Sequence, residues 1–133
     1  MNVPVLSTKS TLLAHSLFGV LLLAVFFQPF FSARHFGPVT DEVPHIAAGY
    51  SYWKTGEIEL NKQHPPLIKL LSSFPMLFMD IAFDEKDLAL GQWIFGKKLL
   101  FSHDVETILA WGRLVPMLLS VLLGYFVYRW ARE

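Results

Sequence analysis

The sequence predicts an all-α membrane protein in which two transmembrane helices are joined by an external loop. Hydrophobic residues make up 53% of the 133-residue chain, and they cluster in two runs. Residues 11–33 contain no Asp, Glu, Lys or Arg, and residues 107–128 contain only Arg113. Each run is long enough to cross about 30 Å of hydrocarbon as a helix. Because lipid offers the backbone no hydrogen-bonding partner, such a run must be helical.

The two runs divide the chain into a short tail, a span, a polar loop, a second span and a short end. We assign them to residues 1–10, 11–33, 34–106, 107–128 and 129–133. The loop has seven basic and ten acidic residues, a net charge of −3, whereas Lys9, Arg129 and Arg132 flank the spans. The positive-inside rule therefore predicts cytoplasmic termini and an external or periplasmic loop. A cleaved signal peptide is the alternative for the first run, but Phe31-Ser32-Ala33 is a poor cleavage site.

Three short helices are predicted inside the loop. The first is capped by Asp41, has Pro44 near its first turn and ends before Gly56. The second carries an apolar stripe that is interrupted by a kink at Pro75, with Lys69 and two serines off that face. The stripe consists of Leu67, Leu70, Leu71, Phe74 and Phe78. It is too short and too polar to span, so we predict an amphipathic helix lying in the membrane interface.

The last part of the loop is predicted to contain an acidic loop at 80–87 and a third helix at 88–101. Trp93 and Phe95 of that helix are expected at the headgroup level. Ser102 and Asp104 are then positioned to start the second span. The formal net charge of +0 gives no indication of nucleic-acid binding, and the absence of Cys excludes disulfides and thiolate metal sites.

Asp41 and Glu42 form an acidic pair that follows the first span by a few residues. Paired carboxylates there can act as a general base or as ligands of a divalent metal ion. His45 follows Glu42 by three residues, a spacing found at carboxylate-bridged metal sites in helix bundles. The alternatives are acidic residues that favour the dipole of a helix N-terminus, and an interfacial histidine.

Two further features suit an anionic ligand. His64 precedes two prolines and Leu67, so it lies at a helix start whose first amide groups are free to bind phosphate, with Lys62 close by. An ordinary helix start is the alternative, since proline is common there. Arg113 lies inside an apolar run, where an arginine faces either a polar cavity or, by snorkelling, the membrane surface.

Taken together, these motifs resemble a known family. TDEVPHIAAGY at residues 40–50 and NKQHPPL at residues 61–67 are similar to the first external loop of lipid-carrier-dependent glycosyltransferases with the GT-C fold. This group includes protein O-mannosyltransferases and the aminoarabinose transferases of lipid A. YWKTG at residues 52–56 and the helix with Arg113 also fit, so the resemblance covers residues 11–132 and implies a partial GT-C fold.

The resemblance implies a reaction and a role for each matching residue. Asp41 would deprotonate the acceptor hydroxyl, which attacks the anomeric carbon with inversion while polyprenyl phosphate leaves. Glu42 would support the geometry or an ion, His64 would contact the carrier phosphate, and Arg113 would supply a permanent positive charge. The expected partners are a polyprenyl-phosphate-linked sugar, membrane lipids and an acceptor protein, lipid or glycan. The plasma membrane of a prokaryote is the expected location.

Family members are much longer than 133 residues, so we expect a fragment with little activity alone. Two alternatives involve no sugar transfer. One is a two-span helical hairpin that binds a partner membrane protein, which explains the spans but not the motifs. The other is a small membrane protein that binds a metal ion through Asp41, Glu42, His45 and His64.

Overall fold

The computed structural model describes residues 8–133, with side chains from residue 11 onward. Most of the predicted tail at 1–10, with the side chain of Lys9, therefore lies outside the described residues. The described part is helical and contains no strand. Its α-helices are α1 (Thr8–Ala33), α2 (Glu42–Thr55), α3 (Pro66–Ser73), α4 (Gly91–Phe101) and α5 (Val105–Trp130). Two 3-10 helices, Phe74–Phe78 and Glu85–Leu90, precede α4.

Two of these helices have the length and composition of membrane spans, which confirms the coarse fold prediction. They are Thr11–Ala33 and Val105–Trp130. The first matches the predicted boundaries, and the second extends the predicted 107–128 by two residues at each end. Of the two residues predicted to start this span, Asp104 does so, since its carboxylate accepts hydrogen bonds from the Thr107 amide at 3.2 Å and the Thr107 hydroxyl at 2.7 Å. Ser102 instead ends α4, where its amide donates to the Lys98 carbonyl at 3.1 Å.

The described residues form two compact units, of which the first comprises residues 8–31 together with 117–133. In this unit Phe18 of α1 stacks on Tyr128 of α5, with ring centroids 3.8 Å apart and planes within 7°. The Arg132 guanidinium lies 5.6 Å from the Tyr128 ring centroid and bonds to His15. Aromatic and cation–π contacts thus join the two helices at this end.

The second unit, residues 32–116, holds the core, and α2 lies at its centre against α3 and α4. The backbones approach closely on both sides. A Cβ added at Gly49 would lie 2.0 Å from the Lys69 carbonyl oxygen, and one at Gly96 would lie 2.9 Å from the Val43 carbonyl oxygen. Glycine at these two positions permits the close helix packing. The main apolar core side chains are Val43, Ile46, Ala47, Tyr50, Met76, Phe95, Leu99, Leu100, Ile108 and Leu109.

The ends of α2 follow the sequence prediction with one difference. Gly56 ends the helix with φ 77°, a conformation that favours glycine, and its amide donates to the Tyr52 carbonyl at 2.9 Å. Asp41 occupies the N-cap position, but its side chain makes no capping hydrogen bond. The carboxylate of Glu42 accepts instead, from the Val39 amide at 2.9 Å. The Asp41 carboxylate therefore takes no part in capping the helix.

Helix α3 is amphipathic as predicted, but its polar side faces the core. Lys69 and Ser73 are 2% and 0% exposed, whereas Leu67 is 62% and Phe78 of the following 3-10 helix 79% exposed. The predicted kink at Pro75 takes the form of a change from α-helix to 3-10 helix after Ser73. An exposed apolar face opposite a buried polar one is the arrangement expected of a helix lying in a lipid interface.

Two predictions about the segment before α5 are wrong. The acidic loop at 80–87 contains the first residues of a 3-10 helix, because the Asp84 carboxylate accepts from the Lys86 amide at 3.0 Å and caps its start. Phe95 is 2% exposed and packs edge-on against Phe83, so it does not lie at the headgroup level. Trp93 stays 42% exposed, because residues two apart lie on different helix faces.

Candidate functional site

A cavity of about 380 Å³ in the second unit collects most of the residues singled out in the sequence. Asp41, Glu42 and His45 come from the start of α2, His64 from the turn before α3, and Arg113 from the first part of α5. The remaining lining consists of Ile46, Ile68, Lys69, Ser72, Gly112 and Pro116. Residues of the two sequence motifs therefore line one cavity.

Arg113 is fully hydrogen-bonded within the chain. Its Nε and Nη2 donate to the two carboxylate oxygens of Glu42, both at 2.7 Å. Nη1 donates to the carbonyls of Ala33 at 2.7 Å and Phe36 at 2.9 Å, and Nη2 also donates to Gly37 at 2.7 Å. An arginine has five N–H groups, and all five are occupied. Arg113 therefore fixes residues 33–42 and has no donor left for a ligand in this arrangement.

Glu42 is the ionised partner of Arg113, and we call this ion pair the clamp. Burial pushes the pKa of its carboxyl upward, but the hydrogen bonds from Arg113 and from the Val39 amide outweigh burial and hold the pKa below its usual value. Because both oxygens are directed at Arg113, Glu42 does not join Asp41 and His45 around a common point. Among residues 8–133, no group of three or more His, Asp or Glu side chains is arranged to hold a metal ion.

Lys69 is a buried cation of the cavity wall that the sequence interpretation missed. Its ammonium donates to the Asn61 carbonyl at 2.5 Å, the Asn61 side-chain oxygen at 2.9 Å and the His64 carbonyl at 2.8 Å. Burial lowers the pKa of this ammonium. All three acceptors are neutral, and no carboxylate pairs with Lys69 in the described part of the chain. The polar stripe of Lys69, Ser72 and Ser73 was placed off the apolar face in the sequence analysis, but its burial was not predicted.

Three titratable side chains of the cavity make no hydrogen bond to a described residue. They are Asp41, which is exposed, His45, which is half-buried, and His64, which is exposed. The two imidazole rings lie 5.0 Å apart, inclined by 65°. Burial and the nearby Lys69 and His64 lower the pKa of His45, while Asp41 opposes the shift. His45 is therefore a neutral imidazole near pH 7.

Lys62 is the one predicted ligand-binding residue that the structure does not bring to this cavity. Its ammonium pairs with Glu59 on the surface, where the two side chains are 62% and 65% exposed. It is absent from the cavity lining, although it lies only two residues before His64. Proximity in sequence to a site residue was therefore a poor guide to its position.

The cavity combines polar groups with an apolar wall, and Ile68 belongs both to the lining and to the exposed face of α3. Such a cavity suits a ligand with a polar head and an apolar tail. Asp41 provides an unbonded carboxylate, and the two imidazoles provide N–H donors. Comparisons with protein-family models, with curated proteins and with solved structures find no match to this chain.

Proposed function

We propose that this chain carries the acceptor-activating site of an inverting membrane glycosyltransferase that uses a polyprenyl-phosphate-linked sugar at the external membrane face. The cavity that joins Asp41 and His45 to His64 is the observation that carries the proposal. It unites two motifs that were singled out for catalysis and for phosphate binding, and it does so next to an exposed apolar helix face.

In the proposed reaction, Asp41 is the general base. Its carboxylate takes the proton of the acceptor hydroxyl while the hydroxyl oxygen attacks the anomeric carbon. The bond between that carbon and the phosphate oxygen breaks, so polyprenyl phosphate leaves as an anion and the anomeric configuration inverts. Glu42 is paired with Arg113 and serves as a positioning residue, because the clamp fixes the backbone that carries Asp41.

The exposed side of α3 offers a route for the carrier lipid. Leu67, Ile68 and Leu71 are 62%, 48% and 38% exposed, and Ile68 also lines the cavity. In the proposal the isoprenoid chain lies along this face within the membrane interface. Its sugar and phosphate then reach the polar wall near Asp41 without leaving the lipid boundary.

The test supplies two forms of the same labelled sugar to membranes that contain the protein expressed from its full reading frame. One form is linked to polyprenyl phosphate, and the other is a nucleotide sugar under conditions that block its conversion to the lipid-linked form. We expect label in the acceptor fraction only from the lipid-linked donor, and none in membranes that lack the protein. Transfer from the nucleotide sugar would contradict the proposed donor, and transfer from neither donor would favour the non-enzymatic hairpin.

A further inference from the structure

His103 lies just before α5 and joins the end of α4 to a segment 21 residues away in the sequence. Its Nε2 accepts a hydrogen bond from the Ala82 amide at 2.9 Å, and its Nδ1 lies 2.7 Å from the Leu99 carbonyl oxygen. A carbonyl oxygen only accepts, so Nδ1 carries a proton and donates it. Nε2 can accept only while it carries none. These two contacts therefore require the neutral imidazole.

The contact with Ala82 holds residues 80–84, which have no regular secondary structure, against the end of α4. Ala82 is exposed, so its amide can turn to water if the imidazole withdraws. The neighbouring Ile81 is 9% exposed, and its carbonyl accepts from the Tyr50 hydroxyl at 3.3 Å. Loss of the histidine contact would therefore release one end of this segment and leave its attachment to α2 in place.

His103 lines a cavity of about 260 Å³ that also contains two carboxylates. One of them, Asp87, is paired with the ammonium of Lys98 on α4. The other, Asp84, forms no ion pair with a described residue. One of its oxygens caps the 3-10 helix by accepting from the Lys86 amide, and the second makes no hydrogen bond to a described residue. The cavity thus holds a free carboxylate oxygen next to a neutral imidazole.

The other titratable groups around His103 are engaged or lie outside this cavity. Asp104 is the next residue, but its carboxylate accepts from Thr107. From α2, the Tyr50 hydroxyl donates to a backbone carbonyl. The remaining charged groups of the neighbouring elements are exposed and do not line the cavity; they are Asp80, Glu85, Lys86, Lys97 and Glu106. Asp84 is therefore the carboxylate that a protonated His103 would pair with.

We propose that His103 is a pH-sensitive switch between Ala82 and Asp84. The neutral imidazole accepts the Ala82 amide and holds residues 80–84 in place. A proton taken up from water at Nε2 ends that hydrogen bond, and the new N–H is donated to the Asp84 carboxylate instead. The switch does not depend on the proposed sugar transfer. Because the loop is predicted to be external, it would respond to the pH outside the cell.

The test is hydrogen–deuterium exchange, followed by mass spectrometry, on the protein expressed from its full reading frame and purified in detergent. Exchange is measured at about pH 8, where an ordinary histidine is neutral, and at about pH 5, where it is protonated. Rates are divided by those of an unstructured peptide of the same sequence at the same pH. The clamp is intact at both values, because the pKa of Glu42 is held below 4.5. We expect the protection of residues 80–84 to fall about tenfold or more at the lower pH, while residues 46–52 of α2 keep theirs.

His103→Gln separates the switch from other effects of acid, because its amide oxygen can accept from Ala82 at either pH. Residues 80–84 of this variant should stay as protected as in the wild type at the higher pH. Asp84→Asn removes the second partner and should move the loss of protection to a lower pH. Asp80→Asn is the matched control, since Asp80 does not line this cavity, and it should behave like the wild type.

Two results would overturn the proposal. Equal protection of residues 80–84 at the two pH values in the wild type would show that His103 keeps its contact with Ala82. A fall of the same size in His103→Gln, or a loss that extends to α2, would show that acid acts through other groups.

Discussion

Asp41→Asn is expected to reduce sugar transfer by about 100- to 10,000-fold, the usual contribution of a positioned general base. The amide keeps the size and shape of the carboxyl group but does not accept the acceptor's proton. The Asp41 side chain makes no capping hydrogen bond in the fold, so its replacement should leave stability almost unchanged. Initial rates of transfer from the polyprenyl-phosphate donor, at matched protein levels in membranes, measure the effect.

Asp80→Asn is the matched control for this experiment. Asp80 is also an exposed aspartate of the loop, but it does not line the cavity. Its variant should transfer sugar at the wild-type rate. An Asp41→Asn protein that retains more than half of the wild-type rate would show that Asp41 is not the base.

Arg113→Gln is expected to destabilise the protein by about 3 kcal/mol, because it leaves the Glu42 carboxylate partly buried without its partner. The Arg113 and Glu42 side chains are only 12% and 26% exposed. Equilibrium unfolding in detergent would measure the loss, and the double variant with Glu42→Gln should lose less than the two single variants together. Additive losses would show that the two side chains do not act as a unit.

The exposed pair of Lys98 and Asp87 provides the comparison for the clamp. The Lys98 ammonium lies 2.7 Å from the Asp87 carboxylate, but its side chain is 56% exposed. Lys98→Ala should therefore lower the free energy of unfolding by less than about 1 kcal/mol.

The ion pair of Arg113 and Glu42 also makes the stability of the protein depend on pH. The folded protein holds the pKa of Glu42 below its ordinary value of 4.5, so its contribution is present above that value and is lost as pH falls through the folded pKa. Glu42→Gln should lack this loss.

Features that depend on local composition were predictable from the sequence. The absence of Asp, Glu, Lys and Arg over residues 11–33 is sufficient to mark a span, whatever it packs against. Gly56 and Asp104 mark helix boundaries because the end of a helix favours glycine and its start favours a carboxylate. These boundaries involve contacts only a few residues apart.

Features that depend on distant partners were not predictable. Arg113 bonds to Glu42, 71 residues away, and to carbonyls 76 to 80 residues away. No local pattern shows that all five of its donors are used inside the chain. Lys69 was placed off the apolar face correctly, but its burial depends on the neutral acceptors of Asn61 and His64. Amphipathicity shows that a helix has two faces, and only its neighbours determine which face is buried.

The candidate site was partly predictable from the sequence. The motifs identified Asp41, His45 and His64, and the fold brings all three to one cavity. The separate role of each cavity residue was not predictable from the sequence, because it depends on which side chains are already hydrogen-bonded within the fold. Glu42 was expected to support the geometry or an ion and Arg113 to bind the carrier phosphate, whereas in the fold they bond to one another.

The central claim is that the cavity with Asp41 meets a lipid-linked sugar at the external surface of the membrane. The chain contains no cysteine, so a single Thr40→Cys substitution places one unique thiol beside Asp41, at an exposed position. Glu133→Cys provides a control thiol at the predicted cytoplasmic end. In intact cells a membrane-impermeant maleimide should label Cys at position 40 and not at position 133. Labelling at position 40 only after the membrane is permeabilised would place Asp41 in the cytoplasm and contradict the account.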